Sequence, residues 1–255
     1  MLNKEILSNI LPEDKILALE KFIPDYVNDP NVLGIFLTGS FVHGDPGPNA
    51  DLDTWIVLEK SKTRTRANVF IDGHEIEYFI NPVNQIEQYF IEDFPNKINT
   101  AHMFANSVVL YEKGPELQRL ITLAKSYLSK PLPDVFEFDI YSCRYFLDDL
   151  RKDLLDALAA DDKVSFELVS GEIVQELIRN FGKFNKFYPA KPKRLMPQLN
   201  LIDQVFSEKL KLYLESSESI DNRFNLLQDC IKYIENLAGG PRPSNYSYTG
   251  GLTIK

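Results

Sequence analysis

Two pairs of residues near the start of the chain have the types and spacing to hold a phosphate group and a divalent cation. Gly39 and Ser40 follow an apolar run, and Asp51 and Asp53 come after a spacer of ten residues. A glycine lets the backbone approach a phosphate closely, and a serine adds a hydroxyl and a backbone N–H. The two aspartates share one face of a strand, where neighbouring carboxylates favour a cation between them. Oxygen ligands of this kind suit Mg²⁺.

A third carboxylate is predicted on a neighbouring strand. Asp72-Gly73 lies between two apolar runs, which is typical of the two-residue turn of a β-hairpin. On the second strand of this hairpin, Glu75 and Glu77 share one face. Glu77 is the first candidate for this third acid and Glu75 is the second, and the sequence does not decide between them. Such an acid would complete a site for two metal ions.

Hydrophobic periodicity predicts the elements that position these residues. They are a helix over 11–27, strands over 32–37 and 52–58, the hairpin over 67–80, helices over about 83–93 and 97–106, a strand over 108–111 and a helix over 116–128. This order predicts an α+β core of a mixed sheet flanked by helices, covering residues 1–130. If a helix began near Ser40, its N-terminus would add to the anion site.

The rest of the chain shows helical periodicity. Two prolines interrupt the pattern within 129–134, which makes this segment the best boundary candidate. Apolar residues then recur at helix spacing and predict an antiparallel bundle of about four helices over 131–238. The last segment, 239–255, is rich in Gly, Pro, Ser and Tyr, and we expect an irregular tail.

The motif resembles the signature of the DNA polymerase β-like nucleotidyltransferase superfamily. The shared pattern is Gly-Ser after an apolar strand, a spacer, Asp-x-Asp, and an acid on a later strand. In this chain Gly39 and Ser40 match the phosphate-binding pair, Asp51 and Asp53 match the metal-binding aspartates, and Glu77 matches the third acid. A helical region after the core is similar to the bacterial small-molecule branch, which includes the aminoglycoside and lincosamide nucleotidyltransferases.

The resemblance implies a reaction. A nucleoside monophosphate would pass from a nucleoside triphosphate to a hydroxyl of a small acceptor, and pyrophosphate would leave. The catalytic and metal-binding residues implied are Asp51, Asp53 and Glu77, with two Mg²⁺ ions, and the nucleotide would be bound by Gly39 and Ser40. A general base has to accept the acceptor's proton. Four acids of the helical region are candidates by position only: Glu137, Asp139, Glu172 and Glu176.

A basic island lies in the helical region. Between Glu176 and Asp203 the chain has basic residues and no acid. Lys191 and Lys193, in a segment that prolines are expected to make a stiff loop, are the candidates for contacting the triphosphate. A solvated surface is the equal alternative, since runs of charge are usually solvated.

Charge and composition disfavour some classes of partner and some locations. The chain has 28 basic and 37 acidic residues and a net charge of −9, which disfavours nucleic acid as a partner and favours a cationic acceptor. Without a signal sequence or an apolar run long enough to cross a membrane, we expect a cytoplasmic protein that binds no membrane. Three alternatives stay open: a non-catalytic or regulatory module of the same fold, a protein as acceptor, and a homodimer.

Overall fold

The change from alternating strand and helix patterns to continuous helical periodicity marks two units in the chain. The computed structural model describes residues 4–94 and 99–250. By contacts between residues, the chain divides into Met1–Lys130 and Pro131–Lys255. The assignment of separate domains, with 239–255 as a tail, stays a prediction.

A mixed five-stranded sheet forms the centre of the first unit. Its strands are β1 (Val32–Thr38), β2 (Leu52–Leu58), β3 (Thr65–Ile71), β4 (His74–Pro82) and β5 (Val108–Glu112). Its helices are α1 (Lys4–Ser8), α2 (Glu13–Phe22), α3 (Pro24–Val27), α4 (Val83–Asp93), α5 (Asn99–Ala105) and α6 (Glu116–Leu128). The strand order is β3-β4-β2-β1-β5. β2 and β4 are parallel, and the other neighbours are antiparallel.

Helices cover both faces of this sheet. Ile35 and Leu37 of β1 pack with apolar residues of α1 and α2. Phe36, between them, packs on the other face with apolar residues of α4, α5 and α6. Alternate residues of one buried strand therefore enter two different cores, which is why β1 is an uninterrupted apolar run. The predicted α+β class with a mixed sheet is confirmed.

The predicted helix over 11–27 is wrong in its extent. It is two helices, because α2 ends at Phe22 and α3 begins at Pro24. Proline has no N–H to donate to the preceding turn, so the α2 ladder cannot continue through Pro24. The helix predicted over 97–106 is α5, Asn99–Ala105, and positions 97 and 98 lie outside the described residues.

The second unit is helical. Its described helices are α7 (Glu137–Ala159), α8 (Lys163–Phe184), α9 (Pro192–Ile202), α10 (Gln204–Glu215) and α11 (Ile220–Leu237). Apolar residues of all five build one core. The prediction was about four helices, and the one it missed is α9. Prolines suggested a stiff loop there, but α9 begins at Pro192, where no N–H is needed, and continues through Pro197. Residues 239–250 form no helix or strand.

Carboxylates of the second unit have structural partners. Asp162 caps α8 by accepting hydrogen bonds from two backbone N–H groups of its first turn. Asp203 caps α10 and also accepts a hydrogen bond from the Tyr233 hydroxyl. Glu235 is buried in α11 and pairs with Arg151 of α7. These contacts stabilise helix ends and helix pairs. In the described part of the chain, no helix is both long and apolar enough to cross a membrane.

Candidate active site

Three carboxylates converge where β1 ends and β2 begins. In the sheet, Asp53 of β2 pairs with Glu77 of the parallel strand β4. Asp51 immediately precedes β2 and lies two residues from Asp53, on the same side. One carboxylate oxygen from each of the three residues lies within 4.8 Å of the other two. All three side chains are half-buried, so they are accessible to a bound cation and its ligands.

Strand register decides which glutamate joins the aspartates. Glu77 is directly opposite Asp53, whereas Glu75 accepts a hydrogen bond of 2.6 Å from the Asn68 side chain. Among the described residues, the acidic cluster contains Glu77 and not Glu75. Geometry therefore favours the first of the two candidates, and its role as a ligand stays a prediction.

Gly39 is required by the position of Asp53. It follows the end of β1 with a φ of +86°, in the left-handed region. A Cβ atom at Gly39 would lie 1.9 Å from Oδ2 of Asp53. The sequence predicted a glycine that lets a phosphate approach. In the structure the absent side chain also makes room for the carboxylate of the site.

Ser40 begins a series of turns rather than a helix. The N–H of His43 donates to the Gly39 carbonyl at 3.1 Å, and the N–H of Asp45 donates to the Ser40 carbonyl at 3.1 Å. No regular helix follows within 40–50. The anion site at a helix N-terminus that we considered from the sequence is therefore not present at this loop. Ser40 is half-buried and lies next to the end of β1 at which the three acids converge.

An arginine that sequence reasoning missed contacts the acidic cluster. Nε of Arg66 donates a hydrogen bond of 2.8 Å to Oε1 of Glu77. This bond, together with the charges of Glu77, Asp53 and Asp51, raises the pKa of Arg66 above its ordinary value. The signal was present in the hairpin. In its register Arg66 faces Phe79, so Arg66 is a diagonal neighbour of Glu77 on one face.

Arg66 lies at the end of a row of aromatic rings. Its guanidinium carbon is 5.2 Å from the centre of the Phe79 ring. Phe79 stacks on Trp55, with ring centres 4.9 Å apart, and Trp55 stacks on Phe36 at 6.1 Å. Phe79, Trp55 and Phe36 occupy paired positions of β4, β2 and β1. The row, which we call the aromatic column, joins the site to the core between the sheet and α4–α6.

The two lysines predicted for the triphosphate lie in the second unit. Lys191 is the N-cap residue of α9 and Lys193 is in its first turn. Both side chains are exposed. The prediction of a loop at this place is wrong, because the segment enters a helix at Pro192. Binding of nucleotide by Lys191 and Lys193 stays a prediction.

The acids considered as a general base differ in their surroundings. Asp139 is partly buried, which raises its pKa, but hydrogen bonds from Lys183 and from the backbone N–H of Phe136 bring its pKa below the ordinary value. Glu176 forms an ion pair with Arg179 at 2.8 Å. Glu137 and Glu172 are exposed. A carboxylate with a low pKa is a weak base, so the surroundings of Asp139 count against it.

Comparison with known proteins identifies the sheet-containing part of the chain. Residues 19–117 match the model of the nucleotidyltransferase domain family. This range of the chain contains the glycine, the serine and all three acids of the site. The resemblance drawn from the motif is thereby confirmed. No curated protein matches the chain significantly.

Two solved structures are similar to the chain. A nucleotidyltransferase-like protein from Exiguobacterium sibiricum 255-15 is 12% identical with a TM-score of 0.50, over 88% of this chain and 76% of that one. Spectinomycin adenyltransferase AAD(9) from Enterococcus faecialis, solved with ATP and spectinomycin, is 14% identical with a TM-score of 0.36, over 90% of this chain and 100% of that one. The first similarity shows a shared fold that extends beyond the nucleotidyltransferase domain.

Proposed function

We propose that the protein transfers a nucleoside monophosphate from a nucleoside triphosphate to a hydroxyl of a small-molecule acceptor, in a reaction that depends on Mg²⁺. The observation that carries the proposal is the convergence of Asp51, Asp53 and Glu77 behind Gly39, inside a nucleotidyltransferase domain. Nucleotidyl transfer itself is the activity of that domain family, and the metal, the nucleotide and the class of acceptor are our proposal.

The residues at this site fit a divalent cation. Three carboxylates offer oxygen ligands within 4.8 Å of one another, and oxygen is the ligand that Mg²⁺ prefers. Three negative charges at this separation repel one another, so a cation between them is favourable. Asp51, Asp53 and Glu77 would hold the metal. When bound, it would neutralise charge on the phosphates and polarise the reacting oxygens.

The protein's own residues would hold the nucleotide and direct the acceptor. Gly39 and Ser40 would bind phosphate oxygens, with Lys191 and Lys193 as further candidates. The acceptor oxygen forms a bond to the α-phosphorus, and the bond from that phosphorus to the oxygen bridging the α- and β-phosphates breaks. Pyrophosphate leaves with that electron pair. The hydroxyl proton passes to a carboxylate acting as general base, with Glu137 and Glu172 as exposed candidates.

A small acceptor agrees better with the charge of the chain than a nucleic acid does. A net charge of −9 repels a polyanion and attracts a cationic molecule. We therefore propose a hydroxylated amine as the first class of acceptor to test. We also propose that the protein acts in the cytoplasm, where Cys143 and Cys230, which are buried and unpaired, would stay reduced.

Calorimetric titration with a non-hydrolysable nucleoside triphosphate, with and without Mg²⁺, tests the nucleotide site. We expect wild-type binding that requires Mg²⁺ and is lost in Asp51→Asn/Asp53→Asn. Glu75→Gln is the control, since it removes a negative charge that lies on the same face of β4 as Glu77 but outside the cluster. We expect it to bind as wild type. Binding by wild type that ignores both the metal and the aspartates would reject this site.

A screen for pyrophosphate release tests the acceptor class. The panel would compare hydroxylated amines, neutral sugars, a protein mixture and single-stranded oligonucleotides, each with Mg²⁺ and a nucleoside triphosphate. We expect release above background with a hydroxylated amine and not with the oligonucleotides. Nucleotide binding without release for any member would support the non-catalytic alternative instead.

A further inference from the structure

We propose that Arg66 is a positioning residue for the third acid of the cluster. By holding Oε1 of Glu77, it fixes the orientation in which this carboxylate lies beside those of Asp51 and Asp53 and can share a cation with them. This inference rests on the proposed function, because it assumes that the cluster binds a divalent cation. It adds a residue that lies on a different strand from all three acids.

The contact between Arg66 and Glu77 is directional. It runs from Nε to one carboxylate oxygen at 2.8 Å, so the arginine engages a single oxygen of the glutamate through this bond. The Glu77 side chain is only 21% exposed, whereas the Arg66 side chain is 71% exposed. A half-buried carboxylate with one oxygen fixed has few orientations left, which lowers the ordering cost when a cation binds.

The aromatic column holds the guanidinium in place. Arg66 lies over Phe79, and Phe79 is stacked on Trp55, whose side chain is 3% exposed. A guanidinium on an aromatic face gains both cation–π attraction and a planar contact. An exposed arginine would otherwise move among many rotamers. The column therefore supplies the rigidity that a positioning role requires.

The charge of Arg66 has the opposite effect on a metal, because a cation repels a cation. This repulsion is weakened by solvent, since most of the Arg66 side chain is exposed. The hydrogen bond acts on a side chain that is largely shielded, where orientation matters most. We therefore expect the loss of orientation to exceed the relief of repulsion when Arg66 is removed.

The test is Mn²⁺ affinity without nucleotide, measured by the electron paramagnetic resonance of free Mn²⁺. We expect Arg66→Gln to weaken Mn²⁺ binding by about tenfold, the lower end of the effect of removing a partner of a metal ligand. Arg64→Gln is the matched control. Arg64 is two residues away, and it bonds and stacks with Tyr89. We expect this control to bind Mn²⁺ as wild type.

A second variant separates orientation from charge. Phe79→Leu keeps Arg66 and all three acids but removes the ring beneath the guanidinium, and we expect it to weaken Mn²⁺ binding several-fold. Thermal unfolding in EDTA is recorded for each variant, so that affinities are compared only between folded proteins. A merely structural Arg66 would change the unfolding temperature without changing Mn²⁺ affinity.

The outcomes separate this inference from the proposed function. If wild type binds Mn²⁺ and Arg66→Gln binds it equally or more tightly, the role of Arg66 is overturned and the metal site is not. An equal loss in Arg64→Gln would also overturn it, since the effect would then not depend on the bond between Arg66 and Glu77. Wild type without measurable Mn²⁺ affinity would overturn both the inference and the metal site on which it rests.

Discussion

Carboxylates have opposite surroundings in the two units. In the helical unit, Asp162 and Asp203 cap helices and Glu235 pairs with Arg151, so each charge meets donors that stabilise it. In the sheet unit, three carboxylates are gathered at one point, where Arg66 is bonded to Glu77. Charges of the first kind stabilise the fold, whereas we expect the mutual repulsion of the second kind to oppose folding.

This difference predicts that carboxylate charges affect the stability of the two units differently. Like charges within 4.8 Å oppose folding unless another group compensates them. The sheet unit tolerates the cluster because cores on both faces of the sheet fix the strands that carry it. Unfavourable interactions of this kind are typical of functional sites, and the stability of the rest of the fold compensates for them. Removing the charge of one of these carboxylates should therefore lower stability in the helical unit and raise it in the acidic cluster.

The largest effect is expected from the buried ion pair of the helical unit. Arg151→Met leaves the Glu235 carboxylate, 4% exposed, without its cation, and we expect a loss of about 3 kcal/mol in the free energy of unfolding. Urea unfolding measures it. The double variant Arg151→Met/Glu235→Leu should recover most of the loss. A single variant within about 0.5 kcal/mol of wild type would show that this pair resembles a surface pair.

The next effect is expected at Gly39. Gly39→Ala combines a left-handed φ with overlap on Asp53, and we expect a loss of about 2 kcal/mol together with loss of Mn²⁺ binding. Gly73→Ala is the control, because Gly73 has a φ of +83° but nothing within 4 Å of an added Cβ. It should cost about 1 kcal/mol and leave Mn²⁺ binding intact. Equal losses in both would mean that Asp53 moves away freely.

A smaller, pH-dependent effect is expected at Asp203. Burial raises the pKa of Asp203. Hydrogen bonds from Tyr233 and from the backbone together lower it by more, so the pKa lies below the ordinary value. The stabilisation is therefore complete above the unfolded-state pKa of about 3.9 and is lost as the pH falls through the folded-state pKa. Asp203→Ala should cost about 1 kcal/mol at pH 7.

Urea unfolding at pH 7 and pH 3 would measure this pH dependence. The loss caused by Asp203→Ala should shrink at the lower pH. Asp203→Asn keeps an oxygen for the cap, and it should be closer to wild type at pH 7 and less sensitive to acid. A loss that grows as the pH falls would contradict the sign of the pKa shift.

The smallest effect on stability has the opposite sign. Asp51→Asn relieves repulsion in the acidic cluster, and in EDTA we expect a gain of about 0.5 kcal/mol, the size of a like-charge contact in a sheet. Thermal unfolding measures it. Mg²⁺ should then stabilise wild type and not the variant, because only a protein that binds the ion gains from it. A less stable Asp51→Asn would show that this carboxylate has a structural role.

Much of the sheet unit could be predicted because its signals are local. The strand over 52–58 and the helix over 116–128 are confirmed with the predicted bounds. The hairpin is also confirmed, since Asp72 and Gly73 both have positive φ, as a two-residue turn requires. Buried apolar runs and a turn that only certain residues form can be read without knowing the tertiary structure.

The remaining features depend on contacts between distant residues. The choice of Glu77 over Glu75 requires the parallel pairing of β2 with β4, which no local pattern specifies. Arg66 required the register of the hairpin as well as the face of Glu77. Helix α9 was missed because its prolines were treated as breakers, although Pro192 lies in the first turn, where proline is compatible with a helix, and the helix continues through Pro197. For Glu77 and Arg66 the missing information was strand pairing, which the tertiary structure alone specifies.

The aromatic column gives the protein a built-in optical probe. Trp55 is the single tryptophan of the chain, and it lies between Phe36 and Phe79, one ring away from Arg66. Its intrinsic fluorescence therefore originates from one place, the stack that connects the acidic cluster to the core. Emission recorded during a metal or nucleotide titration would report on this stack without any attached dye. The same signal would follow the assembly of β1, β2 and β4 when the chain refolds.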